Sequence, residues 1–126
     1  NDKFGHQSGD NALASIAATV KECIRDSDVL FRYGGEEFVI LFHKTDLMGS
    51  VMVAEKIRER VAASRTHLVN DVYADKSKRV KVTVSIGLAE IKPEDGAESW
   101  FQRADEAMYR SKDKGRDRVT TAPKNA

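Results

Sequence analysis

Val29-Leu30-Phe31-Arg32-Tyr33-Gly34-Gly35-Glu36-Glu37-Phe38-Val39-Ile40-Leu41-Phe42 decides how this chain folds. Two apolar runs around a Gly-Gly pair read as a β-hairpin, because glycine allows a sharp reversal of the backbone. The unbroken run Phe38 to Phe42 predicts a central strand covered on both faces. Glu36 and Glu37 then stand at the mouth of the hairpin. Adjacent strand residues face opposite ways, so one glutamate, not both, is expected to meet a bound ion directly. Their hard oxygens are what Mg²⁺ or Mn²⁺ needs while also holding phosphates. The bare Gly-Gly turn leaves the backbone open to a substrate. Two acids after Gly-Gly are also what an ordinary solvated hairpin shows, and the pattern sharpens only in company.

On the N-terminal side, Leu13, Ile16, Ala17, Val20 and Ile24 recur at helical spacing and predict a helix over Asn11 to Ile24 with Asp10 as its cap. On the C-terminal side, Thr45 or Asp46 caps a second helix whose stripe is Leu47, Val51, Ala54, Ile57 and Val61. From Val80 the chain alternates, with Val82, Val84, Ile86 and Leu88 on one face and Lys81, Thr83 and Ser85 on the other. That predicts one half-buried strand, paired with a shorter one around His67 to Tyr73. A last helix starts near Gly96, turns Trp100, Phe101, Ala104, Met108 and Ser111 inward and stops at Gly115. Val119-Thr120 is expected to form a short final strand, and Pro123 to Ala126 a loose tail. The order helix, hairpin, helix, hairpin, helix implies an α+β fold, a mixed and largely antiparallel central sheet flanked by helices. No strand precedes the first helix, so the sheet is expected to lack a central strand.

The 126 residues fit one compact domain, with a core of about 1–120 and a tail over 121–126. Hydrophobic residues at 40% can fill a core, and 33% charged residues predict a soluble protein. No run of roughly 18 apolar residues occurs, which predicts no membrane contact. The polar stretch Asn1 to Asp10 is unlike a secretory signal peptide. Cys23 alone cannot form an internal disulfide, which fits a cytoplasmic location, and its place in an apolar stripe reads as a half-buried thiol. The net charge of +1 supplies no global field for nucleic acid. Cations do gather locally, with Arg110, Lys112, Lys114, Arg116 and Arg118 against Asp113 and Asp117. Such a patch suits a small polyanion, although cations at a helix end also complement its dipole. His6, His43 and His67 lack metal-ligand spacing, and there is no Gly-rich loop ending in Lys-Ser or Lys-Thr.

Arg32 to Phe38 resembles the signature of the GGDEF family in its GGEEF form, the diguanylate cyclases. Asn1 to Asp10 is similar to the family's segment ahead of its first helix. Thr83-Val84-Ser85-Ile86-Gly87 resembles its late strand, and Ala104-Asp105-Glu106-Ala107-Met108-Tyr109 with Lys112 and Gly115-Arg116 its last helix and turn. The resemblance runs from Asn1 to about Val119 with all segments in order, and it implies a nucleotidyl-cyclase-like, palm-like fold.

The resemblance also implies chemistry, position by position. Asn1 and Asp10 match residues that bind guanine, Asp10 accepting from N1–H and N2–H₂ of the base. Glu36 matches the glutamate that ligates the metals, Mg²⁺ or Mn²⁺, and helps activate the attacking 3′-hydroxyl, with Glu37 the second candidate. Gly34 and Gly35 would border the substrate, and Lys112 and Arg116 match the positions that hold the triphosphate. Arg25 and Asp28, in Arg25-Asp26-Ser27-Asp28, resemble the RxxD product-inhibition site for cyclic di-GMP, though a local ion pair in a loop explains the same four residues. The implied reaction joins two GTP molecules and releases pyrophosphate. Each domain supplies half a site, so a homodimer is required. An upstream sensory domain and a cytoplasmic setting, with or without a membrane anchor elsewhere in the protein, follow from the same likeness. The family begins with a strand that carries a second metal-binding Asp. That strand is not in this sequence, so the chain alone is expected to be a weak catalyst. The alternative is a module that binds cyclic di-GMP or GTP without turnover.

Overall fold

The structure, a computed structural model, describes residues 5–67 and 79–123. In chain order it has α1 (Gly5–Cys23), β1 (Val29–Arg32), β2 (Phe38–Leu41), α2 (Leu47–Ala63), β3 (Arg65–His67), β4 (Arg79–Lys81), β5 (Ser85–Leu88), α3 (Ala97–Asp113) and β6 (Arg118–Thr121). Helices and strands mix as the sequence predicts. Among the described residues the strands form pairs, β1 with β2 and β3 with β4 antiparallel, and β5 with β6 parallel.

Local signals account for most of these boundaries. Asp46 caps α2, its Oδ1 accepting from the Gly49 N–H at 2.8 Å. Gly96 opens α3, where the Ser99 Oγ accepts from the Gly96 N–H at 3.1 Å and donates to Asp95 Oδ1 at 2.9 Å. At its other end Gly115 takes φ 115°. Its N–H donates to the Lys112 carbonyl and that of Arg116 to the Ser111 carbonyl, the Schellman arrangement the glycine predicts.

Val20 of α1 and Ile57 and Val61 of α2 form the buried centre, and Leu30, Ile40, Val84 and Ile86 pack against it. Both helices therefore cover one face of the β1–β2 hairpin and of β5. Gly87, next to Ile86, faces the other way and meets α3. The helices thus form two layers with β5 between them. Each buried Val or Ile side chain is worth about 1.5–3 kcal/mol, so Val61, 1% exposed, is an expensive residue to truncate. Cys23 is half-buried against this core, as its stripe position predicts.

Several expectations need correction. α1 begins at Gly5, so Asp10 lies within the helix and does not cap it. Apolar periodicity reports only the buried face, and the polar turns before Asn11 carry none. The single strand expected from Val80 is two, β4 and β5, which break at 82–84 and pair with different partners. Of the partner expected over His67 to Tyr73, only His67 lies among the described residues, at the end of β3. The β2 strand is not covered on both faces by described residues, since Val29, Phe31 and Leu41 stay exposed on the face away from the core. The final strand runs over Arg118–Thr121, and the Ala122 N–H adds a bond to the Leu88 carbonyl at 2.7 Å.

Candidate functional site

Strand pairing ends at Arg32↔Phe38, and the Tyr33 N–H donates to the Glu37 carbonyl at 2.9 Å. Gly34, Gly35, Glu36 and Glu37 therefore form a loop, longer than a tight Gly-Gly turn. Strand alternation does not govern the two glutamates here. Exposure separates them instead: Glu36 is exposed, whereas Glu37 is half-buried. A β-carbon on Gly34 or Gly35 would meet nothing within 4 Å, so the loop presents bare backbone outward. Arg32 braces it from behind, its Nε donating to the Gly34 carbonyl at 3.2 Å and the Gly35 carbonyl at 3.0 Å. The Tyr33 ring packs on Phe101 of α3, centroids 4.6 Å apart, which fixes the loop against the first half of that helix.

Whether this loop suits a divalent cation can be judged from its donors. Glu36 offers a solvent-facing carboxylate beside unobstructed backbone, suited to an ion that completes its shell with water and phosphate oxygens. No group of three or more His, Cys, Asp or Glu gathers among the described residues, so a fully protein-caged ion is not what this arrangement offers. The fit is to a divalent cation shared with phosphate oxygens and water.

Lys112 and Arg116 close the opposite end of α3, about 16 Å along the axis from Phe101 at 1.5 Å per residue. Lys112 is half-buried with Nζ 5.6 Å from the Tyr109 ring centroid, and Arg116 is exposed. The turn carrying Arg116 is unusual. Arg116 (φ 66°) and Asp117 (φ 46°) follow Gly115 in the left-handed region, where each non-glycine residue costs on the order of 1–2 kcal/mol. Compensation comes from two arginines. Arg118 Nε donates to the Arg116 carbonyl at 3.1 Å. Arg58 of α2 donates through Nη1 to Asp117 Oδ1 at 3.0 Å and through Nε to Glu55 Oε1 at 3.1 Å. Hydrogen bonds to Glu55 and then to Asp117 push the Arg58 pKa above its already high value, and they outweigh burial. Sequence reading missed Arg58; its only local signal is Glu55 three residues earlier, an ordinary helix pair.

The structure brings Arg25 and Asp28 together, Nη2 to Oδ1 at 3.5 Å. Asp28 Oδ2 accepts from the Arg25 N–H and Oδ1 from the His43 N–H, both at 2.9 Å. Burial works to raise the Asp28 pKa, but the bonds from His43 and Arg25 win and hold it below the ordinary value. Its side chain is 3% exposed, whereas that of Arg25 is 58% exposed while also bonding the His43 carbonyl and the Thr45 hydroxyl. Asp28 is thus an organiser of the loop, and Arg25 is the member that faces outward. Asn1 lies outside the described residues. Asp10 is placed on α1, Glu36 in the loop after β1 and Lys112 in the last turn of α3. No helix among the described residues is long and apolar enough to cross a membrane.

Comparison with known proteins bears on this arrangement. The family described as diguanylate cyclase, GGDEF domain, matches residues 1–118. The chain is 38% identical over 126 residues to diguanylate cyclase A of Treponema denticola, covering 99% of this chain and 32% of that protein. It is 39% identical over 122 residues to diguanylate cyclase DgcM of Escherichia coli, covering 97% of this chain and 27% of that protein. The chain therefore spans about a third or less of these two relatives. Among solved structures, the GGDEF domain of DgcB from Caulobacter crescentus in complex with c-di-GMP superposes with a TM-score of 0.87 at 34% identity, over 97% of this chain and 69% of that one. The active GGEEF domain of a diguanylate cyclase from Vibrio cholerae gives 0.83 at 28% identity, over 98% and 74%.

Proposed function

From the premise that this chain belongs to the GGDEF family of diguanylate cyclase domains, we propose that it serves, as a single domain, to condense two GTP molecules into cyclic di-GMP and two pyrophosphates. The observation that carries this reading is the braced loop Gly34-Gly35-Glu36-Glu37, bare backbone next to an outward carboxylate. Glu36 would hold Mg²⁺ or Mn²⁺, with Glu37 beside it, and the bound ion lowers the cost of charge on the attacking and leaving oxygens. Lys112 and Arg116 bind the triphosphate as point charge and planar fork. Asn1 and Asp10 read the guanine edge, and Gly34 and Gly35 let the nucleotide lie against the loop. With these groups holding one GTP, the 3′-oxygen of a second attacks its α-phosphorus and pyrophosphate departs. A homodimer brings the two nucleotides face to face.

Cyclic di-GMP binds at Arg25 and Asp28 in the same reading. That site supports a second one, a binding module without turnover, because Asp28 already holds its loop in shape. Incubating the concentrated chain with GTP and Mg²⁺ or Mn²⁺, followed by chromatography, tests this. Cyclic di-GMP above a no-protein control is the expected result. Arg25-dependent binding of cyclic di-GMP with no product at any concentration would replace the cyclase reading with the module.

A further inference from the structure

Arg116 leaves the backbone from a turn that its own sequence does not favour. Gly115, Arg116 and Asp117 are left-handed in succession, and only the first is a glycine. The Schellman bonds fix the turn up to the Arg116 N–H, and Arg118 holds the Arg116 carbonyl. Beyond that point the turn is held by a residue from another layer. Arg58 of α2 reaches across 59 positions of sequence to Asp117. Glu55 holds the same guanidinium at two points, Nε at 3.1 Å and Nη2 at 3.3 Å, so Arg58 is itself a braced strut. The Arg58 side chain is only 21% exposed, and the residue it holds is adjacent to Arg116, which is exposed.

We propose that Arg58 is a positioning residue for Arg116: by holding Asp117 it sets the direction in which the Arg116 guanidinium is presented to a nucleoside triphosphate. It touches no nucleotide. The inference rests on the proposed function, because Arg116 must bind a triphosphate for its direction to matter. A planar fork is sensitive to direction in a way a flexible ammonium is not. Loss of the strut therefore weakens the Arg116 contact and leaves the Lys112 contact in place.

Calorimetric titration of the whole chain with GTP and with GMP, each with Mg²⁺, separates these roles. Arg58→Met is expected to lower GTP affinity about tenfold, the scale of one charge-assisted contact, and to leave GMP affinity within about twofold. Arg58→Lys restores part of the loss, since an ammonium reaches one carboxylate but does not fork between two. Should Arg58→Met fail to fold, Asp117→Gly decides: glycine accepts the left-handed conformation, so the turn forms without its strut. That variant is expected to show the same GTP-specific loss. Unchanged GTP affinity in either folded variant, or equal losses for GTP and GMP, overturns the inference while leaving the proposed function standing. A wild-type chain that binds GTP no better than GMP overturns the triphosphate role of Lys112 and Arg116 and this inference with it.

Discussion

A β-carbon placed on Gly87 would stand 2.1 Å from the backbone nitrogen of Met108. The same atom would lie 2.1 Å from the Ala104 carbonyl oxygen, so β5 touches the backbone of α3 with no side chain between them. This contact fixes the height of the whole helix over the sheet. Ser111, fully buried one turn further on, holds the same height by donating to the Ile86 carbonyl at 2.9 Å and sharing a hydrogen bond with Thr120. Between them, Gly87 and Ser111 set where Lys112 begins.

Gly87→Ala should therefore cost about 3 kcal/mol, at the upper end of overpacking penalties, because rigid helix backbone has to give way. Urea denaturation of the two proteins reads this directly. A midpoint within error of wild type would mean that α3 can slide, and that the close contact is not a constraint.

Gly34→Ala makes the opposite case. With open space around the new methyl group, stability should change by less than about 0.5 kcal/mol. Product formation from GTP, in contrast, should fall at least tenfold, on the order of one lost close approach to the backbone. Full activity in this variant would remove the bare loop from the substrate site.

Glu36→Gln and Arg25→Ala divide turnover from product binding. The first should abolish cyclic di-GMP synthesis and leave cyclic di-GMP binding intact; the second should abolish binding and relieve any inhibition by product. Arg25 is 58% exposed, so its removal is expected to cost no more than about 1 kcal/mol of stability. Circular dichroism melts run alongside keep a folding defect from passing as a functional one.

Asp95 gives the acid limb of the stability profile a defined origin. The hydrogen bond from Arg103, then the Lys92 N–H, hold its carboxyl at about 2, with burial opposing and Ser99 assisting. A folded pKa below the unfolded one, about 3.9, means the unfolded chain binds the proton more readily. Stabilisation is then complete above the unfolded value and is lost as pH falls through the folded one. Asp95→Asn should flatten the slope of stability against pH between about 4 and 2. An unchanged slope in that window would show that other carboxylates govern acid unfolding.

Much of this arrangement was legible in the residues, and the reasons for the rest are physical. The Gly34-Gly35 reversal, the Asp46 cap and the Gly115 stop are local, set by a few adjacent residues, and they stand where the sequence predicts. What a strand pairs with is not local. The alternation through Val82, Val84 and Ile86 reports one buried face correctly, and all three pack on the core. It is silent on the break at 82–84 and on β5 turning to β6 for its partner. Arg58 was invisible for the same reason, since Asp117 becomes its neighbour only when α2 and the turn after α3 are both in place. The setting of Glu36 and Glu37 was misjudged: a loop, not a strand, decides which faces outward.

β6 lies parallel to β5, and parallel neighbours cannot zip together from a short turn; all of α3 has to be laid down between them. During synthesis β5 and α3 leave the ribosome first, before Arg118–Thr121 has emerged to pair. Asp117 is likewise made after α3, so Arg58 can meet it only once that turn exists. The order of translation thus becomes an order of assembly within this stretch: β5 and the turn at Gly115–Asp117 gain their partners only after α3 has been made between them.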